Sequence, residues 1–280
     1  MAVQGNRLLG MVACGLAYCL SSPLQAAALG EETLKLEVGY FLTTWNTRVR
    51  VNNTESDNTL VDLESDLGFD EDDETFYANL EWRFADRHRL AAGYWRLTRT
   101  SSAVLMSEIT VDEETYPVGA RLGSEWEVEI IPISYSYSFF KSPRLEAAAT
   151  IGVHWDTFSL DVRGDAFVAG TSGSVDGRAS AEADAPLPLV GLRLDYQPWQ
   201  RWQMGLLGNW FAVSSDWTDG DIEGEIINAN AYLEFAVTGH FGLGAKYTYF
   251  SLDVDADEGN WQGELDFEYE GPQVYFSLEF

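Results

Sequence analysis

The C-terminal segment Val274-Tyr275-Phe276-Ser277-Leu278-Glu279-Phe280 alternates without a break, with Val274, Phe276, Leu278 and Phe280 on one side. Successive side chains of a strand point to opposite faces, so this is a strand with one wholly apolar face. Lipid outside and a polar lumen inside demand that arrangement, and few folds provide it. The sequence stops on Phe280 with no polar tail, so the strand is expected to close a sheet.

The N-terminus agrees with this reading. Arg7 precedes an apolar run from Leu8 to Leu24, and Ala26-Ala27-Ala28 supplies the small residues of a cleavage site. Residues 1–28 are read as a secretory signal peptide removed after Ala26 or Ala28, and residues 29–280 as one mature domain. Cys14 and Cys19 raise a lipoprotein signal as the competing reading, but cleavage at either leaves a short apolar core with a poor flanking consensus. Both cysteines leave with the peptide, so the mature chain needs no disulfide.

No apolar stretch of the mature chain reaches the roughly twenty residues of a transmembrane helix. The sequence nonetheless holds 10 Trp, 13 Tyr and 15 Phe, spread by alternation, which suits aromatic girdles at two bilayer interfaces. A soluble β-sandwich is the alternative for alternating runs separated by turns. The signal peptide, the terminal phenylalanine and the unequal connections weigh against it. A formal charge of −28 excludes nucleic acid as a partner, since phosphate binding needs clustered Lys and Arg.

Four short polar segments, Ala85-Asp86-Arg87-His88, Lys141-Ser142-Pro143-Arg144, Gln197 to Arg201 and Thr238 to Phe241, each separate two alternating runs and read as tight turns. Longer acidic or Gly/Ser-rich connections lie near 52–74, 105–124, 164–180, 216–225 and 256–262. Short turns at one end and long loops at the other predict an all-β fold: a single antiparallel transmembrane β-barrel of about ten strands, eight being the alternative. The predicted strands are 33–51, 75–84, 88–104, 125–140, 145–163, 181–197, 202–215, 226–237, 242–255 and 263–280. An even count puts both chain ends on the periplasmic side. Apolar parity changes at Gly271-Pro272, where a β-bulge is expected to reset the register, and similarly at Ile130-Ile131-Pro132 and near Trp155 to Phe158, changes read as marks of where the wall leaves the membrane.

Alternation places Lys35, Glu37, Glu81, Arg83, Glu146, Arg193, Asp195, Glu234 and Lys246 on the inward face, with Glu279 beside them. Charges of both signs in a narrow interior pair across strands, because an unpaired buried charge is expensive. A ten-stranded lumen is only slightly wider than one that side chains fill, so a plugged interior is expected ahead of a narrow channel. His154 and Asp156 share the inward face in the outer half of an ascending strand, where they could serve a rim-located hydrolase. No serine nucleophile or second acidic dyad accompanies them, and the catalytic patterns of omptin-like proteases and lipid A-modifying barrels are not matched. No catalytic set or cofactor site is therefore assigned.

The first long connection carries Asp62, Glu64, Asp66 and Asp70 around Gly68, a pattern of hard oxygen ligands that could hold Ca²⁺ or Mg²⁺, although its spacing is not that of an EF-hand. A solvated acidic surface is the favoured alternative. Leu60, Leu63, Leu67 and Phe69 are too apolar for a solvated loop and are expected to form a helical turn packed on the barrel mouth. Carboxylates at Asp253, Asp255, Asp257 and at Glu264, Asp266, Glu268, Glu270 fall on neighbouring strand extensions, where divalent cations shared with lipopolysaccharide phosphates would relieve repulsion.

The terminal Val274, Phe276, Leu278, Phe280 pattern resembles the C-terminal signature of Gram-negative outer-membrane β-barrel proteins, which their insertion machinery reads. The segment Asp66-Leu67-Gly68-Phe69-Asp70 resembles the acidic "DLGxD" loop of small proteobacterial barrels of the OmpA/OmpW class. The resemblance implies an outer-membrane location, contact with lipid and lipopolysaccharide, and assembly by the insertion machinery as a monomer. It implies no activity.

Overall fold

The computed structural model describes residues 29–30, 32–53, 60–106, 108–111, 114–167, 174–213, 222–258 and 261–280. Residues 1–28, read from the sequence as a signal peptide, lie outside the described residues. Thirteen strands are formed among the described residues: β1 (Leu34–Asn53), β2 (Val61–Asp62), β3 (Asp72–Ala85), β4 (His88–Val104), β5 (Ile109–Val111), β6 (Glu114–Tyr116), β7 (Arg121–Lys141), β8 (Leu145–Phe167), β9 (Ser174–Trp199), β10 (Trp202–Val213), β11 (Ile222–Ala236), β12 (Phe241–Glu258) and β13 (Trp261–Glu279).

Ten of these form the wall, each antiparallel to its neighbours in the order β1-β3-β4-β7-β8-β9-β10-β11-β12-β13. β13 returns to β1, with pairs from Lys35↔Glu279 to Asn53↔Trp261, and closes the barrel. β2 pairs with the outer part of β1, and β5 and β6 form a separate hairpin. The four short turns fall where the polar segments predict them. We call that end the base and the end of the long connections the mouth.

The wall changes character partway up, and β8 shows how. Near the base Leu145, Ala147, Ala149, Ile151, Val153 and Trp155 face out, with Ile151 60% exposed, while Glu146, Thr150, His154 and Asp156 are buried in the lumen. Above Trp155 the same alternation continues, but Thr157, Ser159 and Asp161 now face out and Phe158, Leu160 and Val162 are buried inside. The lower barrel is apolar outside and charged inside, and the upper barrel is polar outside with an aromatic core.

This corrects the bulge expected at Gly271-Pro272. β12 and β13 pair without a shift from Phe241↔Leu278 to Glu258↔Trp261, straight through Gly271-Pro272. Phe267 and Tyr269 lie on the same inward face as Gln273, Tyr275 and Ser277, so the apolar residues change sides and the backbone does not. Gly271 is required for another reason: its φ is +153° and an added Cβ would overlap the Leu42 carbonyl. Ile130 faces in and Ile133 out across Pro132, again in one register. The register shifts that do occur, at Arg83/Ala85, Ser138/Phe140 and Trp202/Met204, lie beside the short turns at the base.

Candidate functional site in the barrel lumen

The lumen is layered. At the base the inward charges form a lattice. Lys35 Nζ lies 2.7 Å from Glu234, 3.2 Å from Glu279 and 3.8 Å from Glu37. Lys246 pairs with Glu37 at 2.9 Å. Arg193 bridges Glu81 at 2.6 Å and Asp195 at 2.9 Å. Arg83 grips both oxygens of Glu146, at 2.9 and 3.0 Å. Every member of the inward set read from alternation is thus in contact with another.

Alternation left out several groups that complete the lattice. Arg89, 4% exposed, joins Glu146 at 2.9 Å, Asp195 at 3.1 Å and Glu81 at 3.4 Å. Tyr232 donates to Asp195 and Tyr275 to Glu234, while Ser277 caps the other Glu234 oxygen at 2.8 Å. Charge-assisted bonds of this kind satisfy lone pairs that desolvation would otherwise leave costly.

A strap of main chain crosses beneath this layer. The Leu29 amide donates to Gln197 Oε1 at 2.9 Å, five strands away from β1 around the barrel. Lys141 donates to the Gly30 carbonyl at 3.1 Å, and Glu32 pairs with Arg83 at 3.4 Å. Gly30 has φ +77°, and a Cβ there would lie 2.8 Å from Glu146 Oε2, so glycine is needed for the strap to lie flat. Outside the spanning part of the barrel, Lys141 also holds the Asp86 carboxyl in the β3–β4 turn below its usual range.

Above the lattice a polar relay crosses four strands. Gln273 donates to Thr248 at 2.8 Å, Thr248 to Asn230 at 2.6 Å, Asn230 to Asn228 at 2.7 Å, and Asn228 meets His154 Nε2 at 2.9 Å. His154 Nδ1 lies 3.6 Å from Asp156. The pair is not at the rim as the hydrolase reading requires. His154 is 5% and Asp156 0% exposed, and His154 stacks on Phe250 at 5.3 Å. Its Nε2, the atom a general base would use, is occupied by Asn228.

Over the relay lies an aromatic layer in which Phe41, Trp45, Trp95, Phe250, Phe267 and Tyr269 have ring centroids 4.8–6.0 Å apart. The first long connection seals it. Asp66 donates its amide to the Asp62 carbonyl in a helical turn, and Leu63, Leu67 and Phe69 are buried, as the apolar spacing predicts. Arg99, absent from the sequence reading, is the clasp. It pairs with Glu64 at 2.8 Å, donates to the Asp70 carbonyl, and lies 5.3 Å from the rings of both Trp45 and Phe69.

The four carboxylates of that connection are therefore put to separate uses. Asp62 accepts from the Ser65 amide, Asp66 from the Asp62 amide, and Glu64 from the Thr47 amide and Arg99, while Asp70 is exposed. Among the described residues no group of three or more His, Cys, Asp or Glu side chains is arranged to hold a metal ion.

A closed antiparallel wall with an apolar belt, a charged lower lumen and long connections at one end defines the class of outer-membrane β-barrels. Among solved structures, the outer-membrane protease OmpT from Escherichia coli shares the fold with a TM-score of 0.57 at 9% identity, over 91% of this chain and 98% of that one. The translocator domain of the autotransporter NalP from Neisseria meningitidis gives a TM-score of 0.49 at 10% identity, over 98% and 96% of the two chains. At 9% identity the likeness to OmpT is one of fold. No family model matches the chain, and no curated protein matches its sequence.

Proposed function

We propose that this protein is an integral outer-membrane barrel closed to solute flow, which acts through its surface in envelope integrity or surface interaction. The observation that carries the reading is the filled lumen: the charge lattice at the base and the clasped aromatic layer at the mouth lie in series. A solute would have to part Lys35 from Glu234 and Arg193 from Glu81 and then lift the layer held by Arg99. A narrow channel, the competing reading, needs both seals to open.

The fold supports a place in the outer membrane, with lipid around the lower wall and lipopolysaccharide around the polar upper wall. In this reading the short turns and both chain ends are periplasmic and the acidic connections are extracellular. The outward Val274, Phe276 and Phe280, each more than half exposed, support delivery by the barrel-insertion machinery as a monomer after loss of residues 1–28.

Single-channel recording of residues 29–280 refolded into a planar bilayer tests closure, with folding checked by heat-modifiable gel mobility. A folded, silent protein is expected. Discrete steps whose size changes with Arg193→Ala or Glu234→Gln would make it a pore.

A further inference from the structure

The ladder between β9 and β10 runs from Trp202↔Trp199 to Trp210↔Val190 and stops there. Phe211, Ala212 and Val213 go on pairing with β11, opposite Ile226, Glu225 and Gly224. Leu189, Pro188 and Leu187 go on pairing with β8, opposite Gly152, Val153 and His154. Both strands continue, but not with each other, and no strand pairing among the described residues bridges the seam between them. The β4–β7 ladder lapses beside Pro132 as well, yet it resumes at Trp95↔Ile130. The β3–β4 ladder also ends early, above Tyr77↔Trp95, but there Thr75 Oγ1 donates to the Arg96 carbonyl at 2.6 Å and the Arg99 clasp holds the Asp70 carbonyl.

Two prolines explain why the β9–β10 seam is left unpaired. Proline has no N–H, and a sheet accepts it where the missing donor faces no partner. β8 pairs with β9 without a shift through Val153↔Pro188 and Trp155↔Pro186, so the edge short of donors is the one towards β10. An ordinary strand edge cannot lie in hydrocarbon, because its amides would go unsatisfied. This edge carries no amide hydrogen at Pro186 or Pro188, so an apolar cover costs it less than it would cost any other edge of the wall.

The seam also lies at membrane depth. Pro186 is level with Trp155 and Pro188 with Val153, at the mouth end of the outward apolar belt of β8. Pro186, Pro188 and Val190 are exposed on the outer side, so the lip of the seam is continuous with the lipid-facing wall. Behind the lip Leu189 is buried, and Ala185, Leu187 and Phe211 are partly exposed and packed against the core.

We infer that the seam between Leu187 and Phe211 seats one acyl chain of a lipopolysaccharide molecule, drawn from the leaflet on the mouth side. The chain enters from the side and leaves both seals of the lumen in place. The choice of lipopolysaccharide rests on the reading in which the mouth is extracellular.

Photocrosslinking in intact cells tests it. p-Benzoylphenylalanine replaces Phe211 in one variant and Leu187 in another, with Leu160, inward on β8 and 6% exposed, as the control position. Folding of each variant is checked by gel mobility. Illumination should give a lipopolysaccharide adduct from a folded seam variant and none from the control. No lipid adduct at either seam position in folded protein overturns the seam, as does an equal adduct at the control. A phospholipid adduct overturns the choice of lipopolysaccharide. Met106, at the mouth and 91% exposed, reports orientation independently when Met106→Cys is treated with a membrane-impermeant maleimide on the same cells. A labelled mouth with no adduct refutes the seam alone, and an unlabelled mouth with a phospholipid adduct refutes the extracellular reading.

Discussion

At the residue scale, Glu146 shows what one carboxylate does in this lumen. It is 1% exposed and faces Arg83, Arg89 and the Ser138 hydroxyl. Glu146→Ala leaves two buried guanidinium groups short of a partner and is expected to cost about 3 kcal/mol. That is the low end of the range for a broken buried pair, because Arg83 keeps Glu32 and Arg89 keeps Asp195. Urea unfolding in detergent would measure it. Arg99→Ala has a local consequence instead: with the clasp gone, cleavage between residues 61 and 73 by added protease should rise sharply while the barrel keeps its folded gel mobility. Alternation was enough to send Lys35, Glu81 or Arg193 inward, because strand parity is a local property. It could also have found Arg99, which lies three places from the outward Arg96 and so on the opposite face, and Arg89, obscured by the adjacent turn. What no local pattern holds is who meets whom: Asn228 reaches His154 across 74 positions and ties the imidazole into the polar relay.

At the element scale, β12 and β13 show how an unbroken register has a cost at its upper end. Continuous pairing puts Asp253 opposite Asp266 and Asp255 opposite Glu264, on the outward face above the apolar belt. Arg48 and Arg50 on β1 answer Asp266 at 2.7 Å and Glu264 at 3.2 Å, so the repulsion is left mainly on β12. Partial burial and the neighbouring Asp266, Asp255, Glu264 and Glu225 accordingly raise the Asp253 carboxyl above its ordinary value of 3.8. A raised carboxyl means that the folded state holds the proton more tightly than the unfolded one. Its contribution to stability therefore improves as pH falls through the raised value towards the ordinary one. Asp253→Asn should stabilise the barrel at neutral pH, and its advantage over the wild type should shrink as pH enters that window. Thermal unfolding followed by gel mobility at a series of pH values would show the convergence; a gap independent of pH would dismiss the effect. The acidic ladder itself was legible from the alternation of carboxylates, whereas the cations opposing it depend on β1 closing the barrel.

At the scale of the whole molecule, the inversion of hydropathy along the wall marks where lipid ends. The outward apolar stretch of β8 from Leu145 to Trp155 matches the roughly 9–11 residues a tilted strand needs to cross a bilayer. Above it the wall behaves like a soluble barrel, with Phe158, Leu160 and Val162 buried in an aromatic core and polar groups in water. The sequence carried this inversion in plain view as a change of apolar parity. It admits two explanations, a backbone that slips by one residue or an environment that exchanges sides, and only the cross-strand register tells them apart. The two explanations also differ in energy along a single face. Ile151 and Ser159 both point outward from β8, four alternations apart, with no shift between them. Ile151→Arg, in the middle of the belt, should cost about 2–4 kcal/mol, whereas Ser159→Arg should cost roughly 0–1 kcal/mol. Reversible unfolding in lipid vesicles would measure both. Equal costs would mean that the bilayer covers the upper wall as well, and the aromatic core would then lie at membrane depth. The expected inequality would fix the lipid boundary close to Trp155 and leave the clasped mouth standing above it in water.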